Sequence, residues 1–220
     1  MHIEPGIVHG AKMALAFATA AGCATYAARE ALKDVKASNG ISFAARAAMA
    51  TVGTFICFQV LPHYVAGVSE VHFIMGTALF LLLGAAPAAL GLALGLLLQG
   101  MLFAPTDLPM FAVNATTLLV PLFAMAAVAK RLTAGRAYVD LAYSDVLKMS
   151  ALYQGGVVTW VAFWVVYGQG FGAMGDVMAF GASYMVVVLV EPVFDLVALA
   201  AAKGLKGRAA GLLSGRVYAA

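Results

Sequence analysis

Apolar runs long enough to cross a bilayer recur along the chain, and short polar loops separate them. A spanning helix needs roughly 20 largely apolar residues, fewer where neighbouring helices shield it. Seven segments meet that requirement, at about 11–28, 43–62, 71–86, 87–104, 110–129, 149–168 and 177–201. Composition agrees. Of the 220 residues 64% are hydrophobic and 10% charged, too few polar groups to cover a water-soluble fold. The sequence predicts an all-α, polytopic membrane protein forming a single transmembrane domain over 1–220. The third and fourth runs meet at "GAAPAA", where Gly84 and Pro87 punctuate a stretch too long for one helix. Cys23 and Cys57 lie inside apolar runs and read as small packing residues. No basic flank precedes the first run, so no cleavable signal peptide is expected.

Basic residues orient the spans. Arg29, Lys33, Lys36 and Arg46 fall between the first and second, and Lys130, Arg131, Arg136 and Lys148 between the fifth and sixth; Lys203, Lys206, Arg208 and Arg216 fill the tail. With the N-terminus outside and the C-terminus cytoplasmic, all of these face inwards and only Lys12 is left outside. The expected setting is the bacterial inner membrane. His2, His9, His63 and His72 then all belong to the outer face, and none is available at depth to hold a haem or serve a quinone. No cluster of acid, base and nucleophile stands out. Nothing matches G-x-x-x-x-G-K-[ST], since "GLKGR" is too short and lacks a preceding strand. These absences argue against an enzyme and against nucleotide hydrolysis by this chain.

The opening "MHIEPGIVHG" is unusually polar for such a chain. A free Met1 amine, the His2 backbone nitrogen and His2 Nδ1 are spaced to close two fused chelate rings on one metal ion. Nickel(II) and copper(II) favour such a tetragonal nitrogen field and cobalt(II) fits it, whereas magnesium and calcium prefer oxygen donors. Residues 1–10 would then be a metal-chelating segment, turned back towards the helices by Pro5 and Gly6. A histidine in second place also occurs on untethered ends, so position 2 decides nothing alone.

The loop "PHYVAGVSEVHFIMG" carries His63, Ser69, Glu70 and His72 beside Gly67. Gly67 permits a positive φ or a close backbone approach, and Ser69 or Glu70 is placed to orient an imidazole. His72 reads equally as a metal ligand or as an interfacial histidine capping a helix.

Taken together, "MHI" with the early Gly6, then "GVSEVH", "GLLLQGMLF" and "FAVN", resemble the CbiM/NikM family. These are substrate-binding membrane components of energy-coupling-factor transporters for cobalt and nickel. The family pattern Gly-x-Thr-x-x-His falls on Gly67, Ser69 and His72; Leu-Leu-x-Gln-x-Leu-Leu-Phe falls on a stretch with Gln99 and Phe103, and Ala-Asn on Asn114. The resemblance continues weakly to Glu191. It implies that the Met1 amine, the His2 amide and imidazole, and His72 hold Co2+ or Ni2+ as substrate, with no permanently bound cofactor. Gly67, Ser69, Gln99 and Asn114 become supporting residues. The implied partners are a membrane coupling (T) subunit, cytoplasmic ATPase subunits, a small accessory membrane subunit and the lipid bilayer, with no nucleic acid. A metal sensor or chaperone without transport is the alternative. The chain departs from the family in its order Glu4, Pro5, Gly6, Ile7 and in Ser69 where threonine is usual.

Other polar groups lie within the spans. Glu191 and Asp195 share a helical face beside Pro192, as buried carboxylates bonded to neighbouring helices or as gating groups. Gly10, Ala14, Ala18 and Gly22 form a smooth ridge, for internal packing or for a coupling subunit. Trp160, Trp164 and Tyr167 read as packing residues and interfacial anchors.

Overall fold

A computed structural model describes residues 2–133, 135–205 and 213–218. The helices follow the apolar runs: α1 Met13–Ala37, α2 Gly40–Phe55, α3 Gly76–Leu83, α4 Ala85–Leu102, α5 Phe111–Thr133, α6 Tyr143–Gln169 and α7 Met174–Gly204. Five helical stretches, 40–60, 85–102, 105–133, 143–169 and 171–204, have both the length and the hydropathy to cross a membrane. In α1 the last turns carry Arg29, Glu30, Lys33, Asp34 and Lys36, so only its first part is apolar.

The third expected span differs. At eight residues α3 is about 12 Å long, against about 30 Å of hydrocarbon. The residues ahead of it form a hairpin, β1 Tyr64–Ala66 and β2 Ser69–Val71, with Ala66 opposite Ser69. Met75, with φ +60, stands immediately before α3 as its N-terminal cap. α3 stops at Gly84, whose φ of +97 ends the helix; Pro87 sits harmlessly in the first turn of α4.

Two buried polar clusters hold the ends of α3. At its start, the Ile74 N–H donates to the Glu191 carboxylate of α7, and the Gln154 amide of α6 donates to the other carboxylate oxygen. The Tyr184 hydroxyl completes the chain by donating to Gln154 Oε1 at 2.6 Å. Glu191 is thus bonded to neighbouring elements, and Asp195, also fully buried, lies near Ser150, Thr77 and the Ala78 backbone. At the other end Arg46 pairs with Asp34 and donates to the Leu83 carbonyl at 2.6 Å. Arg46 is therefore no loop charge: it is 1% exposed and joins α1, α2 and α3. Arg46 lines a cavity of about 570 Å³ with Lys33, Lys130 and Arg216, so these basic residues gather at one end of the bundle. Lys206 and Arg208 lie outside the described residues.

Two expectations about helix faces change. Gly10, Ala14, Ala18 and Gly22 are all exposed, so the small ridge points out of the bundle, and among the described residues nothing stands within 4 Å of where a Cβ on Gly10 or Gly22 would lie. Trp164 is fully buried, donating to Thr116 Oγ1 at 3.2 Å, and is an internal packing residue. Cys23 and Cys57 are buried and unlinked, as their apolar settings imply.

Candidate metal centre

The centre forms where the N-terminal residues join the hairpin. Residues 2–4 run beside β2 as a third short strand: Ile3 bridges Ser69, the Glu70 N–H donates to the His2 carbonyl at 2.9 Å, and the Glu4 N–H donates to the Val68 carbonyl at 3.1 Å. The Ser69 hydroxyl also donates to the His2 carbonyl, at 3.0 Å. From the helical side, Asn114 Oδ1 accepts the Ile3 N–H at 2.8 Å. Ile3 is wholly buried. Behind this strand the chain reverses at Pro5–Gly6, with the Ile7 N–H donating to the Glu4 carbonyl and Gly6 at φ +91. Proline then glycine at these positions is what a type II turn asks for.

Gly67 serves both purposes a glycine can have there. It holds φ +59 at the first position of the two-residue hairpin connection, and a Cβ on it would fall 2.4 Å from the Asp176 carbonyl oxygen. The hairpin tip thus rests against the start of α7.

This framework brings His2 and His72 together. His2 Nδ1 lies 3.1 Å from His72 Nε2, and the two residues are 2% and 1% exposed. Phe58, fully buried in the π-helical turn Ile56–Val60 that follows α2, packs on both rings at 5.9 and 5.4 Å. Glu70 joins them: its Oε2 is 3.0 Å from His2 Nδ1 and 2.8 Å from His72 Nε2. Among the described residues these three are the group of side chains whose donor atoms converge as metal ligands do. Met1 lies outside the described residues.

The rings resist protonation. Burial pushes the His72 imidazole down to about 2 and lowers that of His2 as well. Hydrogen bonds from both rings hold the Glu70 carboxyl well below the usual carboxylate range. One partly exposed carboxylate does not offset the burial of two rings, so the imidazoles stay neutral and keep a lone pair for a metal.

A family model described as the cobalt uptake substrate-specific transmembrane region matches residues 2–208 of this chain. The chain belongs to this family, CbiM. No curated protein and no solved structure matches it. As a CbiM-family protein it is a multi-pass membrane component of cobalt uptake, a transport role and not a catalytic one.

The remaining residues singled out in this CbiM chain divide clearly. Asn114 and Ser69 grip the N-terminal strand. Gln99 is buried in the last turn of α4, with no partner for its Oε1 among the described residues. His63 is exposed and stacks on His72, ring centroids 4.7 Å apart. His9 is exposed and bonds to the Gly6 carbonyl at 3.0 Å, bracing the turn. Glu70 was expected only to orient a ring. Its signal was its spacing: in an extended segment, residues two apart point the same way, which aligns Glu70 with His72. Asp107, which lines a narrow cavity with His2 and Asn114, carried no such signal.

Proposed function

We propose that this chain is the substrate-specific component of an energy-coupling-factor transporter, capturing cobalt(II) or nickel(II) at the outer face for ATP-driven uptake. The observation that carries the reading is the buried approach of His2 Nδ1 to His72 Nε2 at 3.1 Å. Two nitrogens about 2.0 Å from one metal, at right angles, stand about 2.8 Å apart, so the spacing suits adjacent corners of a coordination plane. In the proposed site the Met1 amine, the His2 amide nitrogen and His2 Nδ1 take three corners and His72 Nε2 the fourth. The ring atom the terminal chelate requires is Nδ1, and that atom faces His72. Gly67, Ser69 and Asn114 fix the strand and hairpin that carry these nitrogens, and Gln99 supports them from α4.

In this reading the basic end of the bundle is cytoplasmic and the metal centre lies towards the outside, following the loop charges. ATP hydrolysis belongs to separate cytoplasmic ATPase subunits. A membrane coupling subunit docks on the outward ridge of Gly10, Ala14, Ala18 and Gly22, where small residues permit close helix approach. A small accessory membrane subunit completes the complex.

Cobalt accumulation in cells tests the transport reading. Cells expressing this chain with its coupling and ATPase subunits are expected to take up cobalt, and cells lacking either subunit are not. Equal accumulation without the partners contradicts the assignment.

A further inference from the structure

The Glu70 carboxylate has no place in a plane of four nitrogens, yet its Oε2 stands as close to the two imidazole nitrogens as they stand to each other. The separations are 3.0 Å to His2 Nδ1, 2.8 Å to His72 Nε2, and 3.1 Å between the nitrogens. Three donors so spaced subtend about 90° at an ion about 2.1 Å from each, which makes them three mutually adjacent positions of a tetragonal or octahedral shell.

We propose that Glu70 is itself a ligand of this metal, holding the axial position over the nitrogen plane and making the site selective for cations that accept a fifth donor. The inference rests on the four-nitrogen reading above and adds a donor to it. Both in-plane neighbours of His2 Nδ1 are nitrogens in that reading, the His2 amide on one side and His72 on the other. An oxygen adjacent to both imidazole nitrogens is therefore out of the plane.

Hydrogen bonding to the rings explains Glu70 only while the site holds no metal. Without an ion, an imidazole N–H donates to Oε2. A metal bound through Nδ1 of His2 and Nε2 of His72 takes the lone pairs of those two nitrogens and leaves no proton on either. Oε2 then faces two donor atoms that offer it nothing, and the cation among them compensates its charge. The side chain is also the most open of the three, 24% exposed against 3% and 0% for the side chains of His2 and His72. An arriving hydrated cation meets the carboxylate first.

An axial carboxylate has a consequence for choice of metal. Plain nitrogen sites bind nickel(II) more tightly than cobalt(II), so a preference for cobalt has to come from geometry and ligand type. A planar four-nitrogen field including a deprotonated amide suits low-spin nickel(II), which gains little from a fifth ligand. Cobalt(II) accepts one readily. Glu70 thus raises cobalt affinity relative to nickel and pulls bound nickel towards a paramagnetic, five-coordinate state.

The test uses the full chain beginning at Met1, untagged, in lipid nanodiscs, titrated with cobalt(II) and nickel(II). Affinities are measured for wild type, Glu70→Ala and Glu70→Gln, with optical and magnetic measurements on the nickel forms. Both variants are expected to lower cobalt affinity relative to nickel by about tenfold or more, and to shift bound nickel towards the diamagnetic planar state. Glu70→Gln preserves side-chain shape, so the result survives a folding defect in the alanine variant. An unchanged cobalt-to-nickel ratio with an unchanged nickel spectrum in Glu70→Gln overturns the axial assignment and leaves the nitrogen site standing. A wild-type chain that binds neither metal, or a His72→Ala variant that binds both as wild type does, overturns the nitrogen site and the axial assignment together.

Discussion

Asn114 Oδ1 accepts the backbone N–H of Ile3 at 2.8 Å, tying the residue after His2 to helix α5 across a sequence separation of 111. A buried N–H deprived of its acceptor costs about 1–3 kcal/mol. Asn114→Leu is therefore expected to release the N-terminal strand and weaken metal binding by about tenfold or more, 1.4 kcal/mol being one factor of ten. Asn114→Asp keeps the acceptor and is expected to retain more affinity. Calorimetric titration of both variants checks this, and equal affinities in wild type and Asn114→Leu count against a role for the contact.

Glu191 works on the other strand of the site. Its carboxylate accepts the Ile74 N–H two residues beyond His72, and the Gln154 amide. Glu191→Ala strands both donors inside the bundle, where no water replaces the acceptor. We expect a stability loss of about 1–3 kcal/mol, the scale of a buried donor left without its acceptor, with only part of it restored in Glu191→Gln, whose amide keeps one acceptor oxygen for two donors. Thermal unfolding in detergent measures the difference. If Glu191→Ala unfolds at the wild-type temperature, the carboxylate does not hold the start of α3.

Acid should destabilise the metal-free protein. An exposed imidazole in the unfolded chain titrates near 6.5, while burial keeps that of His72 neutral down to about 2. Between these values the unfolded state binds the extra proton, so stability rises with pH across this window and falls on acidification. Glu70 acts in the same direction at lower pH: its folded value is depressed, so its contribution is present above the ordinary carboxylate range and lost as pH falls. The unfolding temperature is expected to drop between pH 7.5 and 5, and to drop less in His72→Gln. A variant that loses as much as wild type would show that His72 is not the group responsible.

Most of the long helices were legible because bilayer thickness imposes a minimum apolar length: α4, α5 and α7 start and stop within about four residues of the expected bounds, whereas α6 starts earlier, at Tyr143. The pairing of His2 with His72 was accessible through chelate chemistry and motif resemblance. The hairpin was not. "YVA" and "SEV" are too short for an alternating pattern to register, and they form a sheet with a third strand drawn from residues 2–4, a contact between distant parts of the chain. Arg46 misled for a related reason. A basic residue near a span end reads as a loop charge, and only its pairing with Asp34 and the Leu83 carbonyl makes it a buried joint. The outward direction of the Gly10–Gly22 ridge was equally hidden, since periodicity places residues on one face but not which way that face turns.

The central claim is that the free amino terminus is part of the metal site. Calorimetry on the untagged chain, beside a form extended by a few residues at its N-terminus and the His2→Ala and His72→Ala variants, tests it directly. The account predicts tight cobalt and nickel binding by wild type and a loss in all three altered forms, including the extended chain in which every side chain is intact. Binding by the extended chain as tight as that of wild type would contradict it.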